Sequence, residues 1–93
     1  MKDYRNESVF LRAIAHPARL KICRGLLRHD CNVGKMVRGL GLPQSTVSQH
    51  LALLRARGIV ACEKKGKKTC YRVADPRVRR ILAALEQAKG APC

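Results

Sequence analysis

Apolar residues recur at helical spacing over the first third of the chain. The stripe from Val9 to Ile14 predicts a first helix over about residues 4–15. The residue before Pro17 ends this helix, because a residue that precedes proline disfavours the α region. Proline suits the first position of a helix, so a second helix is predicted from Pro17 to about Arg28. Its inward stripe is predicted to be Leu20, Cys23 and Leu27, flanked by Ile22 and Leu26.

The next strong pattern has two distinct faces. A short extended piece at residues 31–33 and a third helix at residues 34–40, ended by Gly41, are predicted to precede it. The segment from Gln44 to Gly58 then places apolar residues at i, i+4 and i+7, which form one face of a helix. The apolar face consists of Val47, Leu51 and Leu54, and the polar face begins with Gln44, Ser45, Thr46, Ser48, Gln49 and His50.

Two β-like runs, at residues 59–64 and 69–73, surround a lysine-rich turn. A glycine in the turn and alternation on both sides are typical of a hairpin. The predicted cross-strand pairs are Lys65 with Lys68, Cys62 with Tyr71, and Val60 with Val73. This register places Glu63, Cys70 and Arg72 on the face opposite to Val60, Cys62, Tyr71 and Val73.

A final helix is predicted to begin at Asp75 and Pro76. Its apolar stripe is too long to be buried entirely within a chain of this size, so we expect part of it to meet a second copy, together with part of the first helix. The expected dimer contacts are Phe10, Ile14, Val78, Ile81, Leu82 and Leu85. The predicted fold is mainly α with a small β-hairpin, in the order ααααββα.

The charge balance gives the first indication of function. The chain has 93 residues, enough for one domain, with 20 Lys and Arg against 6 Asp and Glu, a net charge of +14. Such a field favours polyanions. No apolar run approaches the ~20 residues of a spanning helix, and residues 1–7 do not resemble a signal peptide. We therefore expect a cytoplasmic protein whose five cysteines are thiols and do not form a disulfide framework.

Residues 33–58 match a helix-turn-helix, because two short helices are joined by a glycine-containing turn and the second begins with polar residues. The second helix of this motif enters the major groove, and its first residues reach base edges. The hairpin at residues 59–73 adds a basic wing suited to phosphates or to the minor groove. RNA is disfavoured, since the chain has only one Phe and two Tyr for stacking on bases. The expected DNA contacts are Gln44, Ser45, Thr46, Ser48, Gln49, His50, Arg55, Lys64, Lys65, Lys67 and Lys68.

Several segments between residues 8 and 85 carry a family resemblance. They are residues 15–22 (AHPARLKI), 42–51 (LPQSTVSQHL), 54–55 (LR), 58–60 (GIV) and 70–73 (CYRV). These segments resemble the ArsR-type (arsenic-repressor) family of bacterial transcriptional regulators. The resemblance implies one winged-helix domain that forms a homodimer through residues 1–16 and 75–90. It also implies a repressor that leaves its operator when an effector binds. A twofold dimer is expected to prefer an inverted repeat.

The resemblance implies two possible metal sites, and this chain lacks ligand residues of both. Metal-sensing members carry Cys-Val-Cys where residues 32–34 read NVG, and Cys31 lies one residue too early. Asp75 matches the first ligand of a second family site on the last helix. The remaining positions of that site hold Arg77, Ala88 and Ala91.

The cysteines leave two sensing hypotheses open. Cys31 and Cys70 with a third group would form a thiolate site for soft ions such as As(III), Hg(II), Cd(II) or Cu(I). Thiol-sensing relatives have cysteines near Cys23 and near the end of the last helix, so Cys23 and Cys93 are a candidate pair for sensing redox state or reactive sulfur. Core packing of Cys23 and a surface position of Cys31 are the competing interpretations. No cofactor is established by the sequence, and As(III) or another soft ion on cysteine thiolates is the candidate.

The sequence does not support catalysis, because it contains no nucleophile–base arrangement and only 6 acidic residues. An architectural DNA-binding protein without an effector is the alternative to a repressor. The cluster of Gln, Ser and Thr at the start of the fourth predicted helix favours the repressor, since a purely electrostatic binder does not need it. A membrane-surface role is disfavoured, because no helix sets its basic residues opposite a large apolar face.

Overall fold

The computed structural model describes residues 3–28 and 38–88 of the chain. Its six elements follow the predicted order, and residues 38–40, the end of the third predicted helix, are also helical. The mainly α fold with a β-hairpin is therefore confirmed. The predicted extended piece and the start of the third predicted helix lie outside the described residues. The elements are α1 (Arg5–Ile14), α2 (Pro17–Arg28), α3 (Gln44–Ala56), β1 (Val60–Lys65), β2 (Lys68–Val73) and α4 (Pro76–Ala88).

The hairpin has the predicted register. β1 and β2 pair antiparallel, and the pairs run from Val60 with Val73 at the base to Lys65 with Lys68 at the tip. Gly66 turns the chain with a φ of 65°, a left-handed conformation that glycine adopts without strain.

The core gathers apolar side chains from every described helix and from the base of the hairpin. α2 lies at its centre and contacts α1, α3, β2 and α4. Because α2 has neighbours on several sides, the residues that it buries lie on a partly different side of the helix from the predicted ones. Leu20 and Leu27 are only half-buried, and the prediction that they form the inward face with Cys23 is wrong in that respect. The buried residues of α2 are Ala18, Ile22, Cys23 and Leu26.

Four of the six expected dimer contacts are buried inside the chain itself. They are Phe10, Ile14, Val78 and Leu82, the last with 8% of its surface exposed. α4 packs on α2, and this contact covers the side of the helix that was expected to meet a second copy. Ile81 is half-buried, whereas 52% of Leu85 is exposed. Val78 and Leu82 are thus covered within the chain, whereas part of the stripe stays open to solvent at Leu85 and Ile81, as its length predicts. The contacts with a second copy stay a prediction.

α4 begins at an aspartate that closes its first turn. Asp75 Oδ1 accepts the backbone N–H of Arg77 at 2.9 Å, and Arg77 Nη2 donates to Asp75 Oδ2 at 2.7 Å. Pro76 occupies the first helical position, where no N–H is needed. The Arg77 guanidinium also lies 3.9 Å from the centroid of the Phe10 ring, which links the start of α4 to α1.

Replacing Asp75 tests this junction. We expect Asp75→Ala to lower the free energy of unfolding by about 1 kcal/mol, because an N-cap acceptor is lost. The hydrogen bond from Arg77 holds the pKa of Asp75 below its ordinary value of 3.8. The ionised Asp75 side chain therefore contributes to the free energy of unfolding above pH 3.8. This contribution is lost as the pH falls through the lower pKa that Asp75 has in the folded state. Urea unfolding at neutral and acidic pH measures both effects.

Asp3→Ala is the matched control. Like Asp75, Asp3 accepts the backbone N–H of the residue two positions later, with 3.0 Å between Asp3 Oδ1 and the nitrogen of Arg5. The Asp3 side chain is 71% exposed, whereas that of Asp75 is 15% exposed. An equal loss in the two variants contradicts the special role of Asp75.

Candidate nucleic-acid interface

α3 is fixed in the core by one face and presents the other to solvent. Val47, Leu51 and Leu54 are buried, as their spacing predicts. Four residues of the predicted polar face are exposed, and two are half-buried on a flank of the helix. The exposed ones are Gln44, Ser45, Ser48 and Gln49, and the half-buried ones are Thr46 and His50.

His50 is engaged by the loop between α1 and α2. Its ring centroid lies 4.8 Å from that of His16, whose Nδ1 accepts the backbone N–H of Ala18 at 3.1 Å. Burial lowers the pKa of His50 below its ordinary value of 6.5, and nearby His16 and Arg19 lower it further. The His50 ring therefore lies beside His16, where the flank of α3 meets the loop before α2.

A short joint connects α3 to the hairpin. The N–H of Ile59 donates to the carbonyl oxygen of Leu54 at 3.0 Å, and Gly58 has a φ of 74°. The carbonyl of the fully buried Ile59 accepts the N–H of Ala74 at 2.8 Å, beyond the end of β2. Both ends of the hairpin are thereby tied to the end of α3, so the two predicted DNA-contacting elements are held in one orientation.

The basic residues of the proposed interface are exposed. Arg55 lies on α3, and four lysines surround Gly66 at the hairpin tip. Glu63 is the one acidic residue of the hairpin, so positive charge dominates there. The four lysines are Lys64, Lys65, Lys67 and Lys68.

Tyr71 lies opposite Cys62 in the hairpin. Burial raises the pKa of Tyr71, and the charge interaction and hydrogen bond with Cys62 raise it further.

The described cysteines differ in their surroundings. Cys23 is fully buried, and burial raises its pKa to about 11. Cys70 is 4% exposed and disulfide-bonded, so the expectation that every cysteine is a thiol is wrong at this position. Cys62 and Cys23 are free. The other two sensing candidates, Cys31 and Cys93, lie outside the described residues.

Within residues 3–28 and 38–88, no three His, Cys, Asp or Glu side chains form a group that could hold a metal ion. The same part of the chain contains no helix that is long and apolar enough to cross a membrane.

Arg19 is a residue near the site that was not among the predicted site residues. Arg19 Nη1 donates to the carbonyl oxygen of Ala13 at 2.9 Å, at the C-terminal end of α1. The contact joins residues six positions apart across a helix break, and helical periodicity gives no signal for such a pair. The proline after His16 did mark the break itself.

Comparison with known proteins gives the family. The sequence model described as "Bacterial regulatory protein, arsR family" matches residues 16–61, which include α2, α3 and the joint. The chain belongs to the ArsR family. It is 37% identical over 81 residues to the transcriptional repressor PagR of Bacillus anthracis, an alignment that covers 86% of this chain and 81% of PagR.

Solved structures of similar proteins have the same fold. NolR from Sinorhizobium fredii superposes with a TM-score of 0.83 and 34% identity, covering 97% of this chain and 90% of NolR. HlyU from Vibrio cholerae N16961 superposes with a TM-score of 0.82 and 34% identity, covering 92% and 94% of the two chains. The fold is thus the winged helix of ArsR-type regulators, and the chain is a DNA-binding transcriptional repressor of this family.

Proposed function

We propose that this ArsR-family chain reads an inverted-repeat operator as a homodimer in the cytoplasm, with α3 in the major groove and the hairpin on the phosphate backbone. The observation that carries the proposal is the split between the two faces of α3. Its apolar face is locked in the core, while Gln44, Ser45, Ser48 and Gln49 are exposed at its start. These side chains can donate and accept hydrogen bonds at base edges.

The two elements have different tasks in this proposal. Glutamine can form a bidentate pair with adenine, so Gln44 and Gln49 supply sequence preference. The hairpin lysines contact phosphates, which position the protein without reading the sequence. Arg55 and the half-buried Thr46 and His50 complete the proposed contact surface.

Paired substitutions separate the two tasks. We expect Gln49→Ala to relax base preference at one operator position, at a cost of roughly 1–3 kcal/mol when the contact is bidentate. Lys67→Ala, by contrast, should weaken binding to all sequences alike and reduce the salt slope by about one unit. Fluorescence anisotropy with operator and random DNA over a salt series measures both changes.

The same experiment distinguishes a repressor from an architectural protein without an effector. An architectural protein would bind operator and random DNA alike, and Gln49→Ala would then lower both affinities equally. That result would contradict the assignment of α3 as the reading helix.

The dimer surface is proposed on the outward faces of α1 and α4. Leu11 and Leu85 are large apolar residues with 49% and 52% of their surfaces exposed. A groove along α1, lined by Tyr4, Leu11 and Ala15 among others, has a volume of about 440 Å³. Burial of such surface against a second copy is favourable. Since Leu82 is already covered within the chain, Leu85 and the half-buried Ile81 are the better candidates on α4.

Two substitutions one helical turn apart test this surface. We expect Leu85→Glu to convert a dimer into a folded monomer, because the new charge would lie on the contact surface. Leu82→Glu should instead unfold the chain, since even truncation of a buried leucine to alanine costs roughly 2–5 kcal/mol. Sedimentation measures the mass, and circular dichroism measures the folded fraction. A monomeric wild-type protein at micromolar concentration would contradict the dimer.

Operator release is proposed to depend on the cysteines. Reduction of the disulfide at Cys70 by a dithiol takes up two electrons and two protons, and the resulting thiol could then bind As(III) or another soft ion together with Cys31. Cys23 and Cys93 remain the alternative redox pair. The burial of Cys23 and its pKa of about 11 favour a packing role, because the thiolate is the reactive form.

Single Cys→Ser variants test this dependence. We expect the operator affinity of the wild type to change about tenfold between oxidised protein, protein reduced with dithiothreitol, and reduced protein with arsenite. Cys70→Ser should lose the response, because Cys70 supplies both the disulfide and the proposed ligand. Cys62→Ser is the control, since Cys62 is a free thiol on the opposite face of the hairpin. A Cys70→Ser protein that responds like the wild type would exclude Cys70 as the sensor.

A further inference from the structure

A cleft of about 170 Å³ opens where α1 and α2 meet the end of α3. Three of the six residues that line it are arginines, one from α1, one from α2 and one that directly follows α3. No acidic residue lines it. The six are Val9, Arg12, Ala13, Arg19, Leu53 and Arg57.

The cleft arginines have no carboxylate partner among the described residues. The arginines in described ion pairs are Arg5, Arg24 and Arg77, and they lie elsewhere. Gathering three guanidinium groups around one cleft without an opposing charge is unfavourable, because like charges repel. An anion in the cleft would remove this cost.

Arg19 adds an independent observation. Its Nη1 donates to Ala13, but its Nε is buried and has no hydrogen-bond partner. Buried polar groups in native proteins almost always have a partner, and a bound ion is one of the explanations for a group without one. The guanidinium fork presents parallel donors that match the oxygens of a phosphate group.

We propose that this cleft, named here the arginine cleft, binds a phosphate-type oxyanion held by Arg12, Arg19 and Arg57. The anion is either a backbone phosphate of bound DNA or a free phosphate compound. The site does not depend on the proposed reading of bases by α3. Because its ligands come from α1, α2 and the end of α3, occupancy would fix α3 relative to both neighbouring helices.

Titration of the whole protein with inorganic phosphate tests the site directly. Ionic strength is kept constant with sodium chloride, and arginine Nε–H resonances are followed by two-dimensional NMR. We expect a saturable shift of the Arg19 Nε–H resonance. Arg57→Gln and Arg12→Gln should each weaken phosphate binding by about tenfold, because each removes a charged donor. Both residues are exposed, so the fold should tolerate the changes.

Arg80→Gln is the matched control, since it removes the same charge from an exposed position on α4. It should leave phosphate binding unchanged. A shift that does not saturate, or that is equal in Arg57→Gln, Arg12→Gln and Arg80→Gln, would show only general attraction to a basic surface and would overturn the proposal.

DNA binding by the same variants distinguishes the two sources of the anion. If the ligand is a DNA phosphate, Arg57→Gln reduces the salt slope of DNA binding by about one unit more than Arg80→Gln does, and inorganic phosphate is displaced by DNA. If the ligand is a free anion, Arg57→Gln and Arg80→Gln bind DNA equally. In the protein–DNA complex, the Arg19 Nε–H resonance still shifts when phosphate is added. The NMR titration decides the site itself, so failure of the operator proposal would leave it standing.

Discussion

The burial of one face of α3 is the constraint on which the rest of the structure depends. Val47, Leu51 and Leu54 are enclosed by the core around α2, and Ile59 closes the end of the helix. A rigid helix that is buried on one side can expose its polar side only in one direction. The direction in which Gln44 and Gln49 face solvent is therefore set by apolar packing on the far side of the helix.

The same packing explains why the hairpin has a defined position. Ile59 is buried and its carbonyl accepts hydrogen bonds from both Ala74 and Asp75, at 2.8 and 3.4 Å. The end of α3, the base of the hairpin and the start of α4 therefore meet at one residue. Asp75 and Arg77 then fasten α4 to this joint and to Phe10 of α1. These contacts join α1, α4 and the base of the hairpin to the end of α3.

Local pattern predicted the hairpin register and the two faces of α3, because alternation and the 3.6-residue period each fix which side chains share a face. The helical period did not predict which neighbouring elements cover the apolar side of a helix. Leu82 was therefore expected at a dimer contact, although α2 buries it. The arginine cleft could not be predicted either, since Arg12, Arg19 and Arg57 come together only when three helices pack. Cys70 shows the same limit, because a strand pattern does not reveal a covalent partner.

Methylation protection by dimethyl sulfate tests the central claim most directly, because the reagent attacks guanine N7 in the major groove and adenine N3 in the minor groove. The DNA is an inverted repeat selected by the protein from random sequence. With α3 of each protomer in the major groove, guanine N7 should be protected in two clusters whose centres lie about 34–36 Å apart. Protection confined to adenine N3, or spread evenly along the DNA, would contradict the placement of α3 in the major groove.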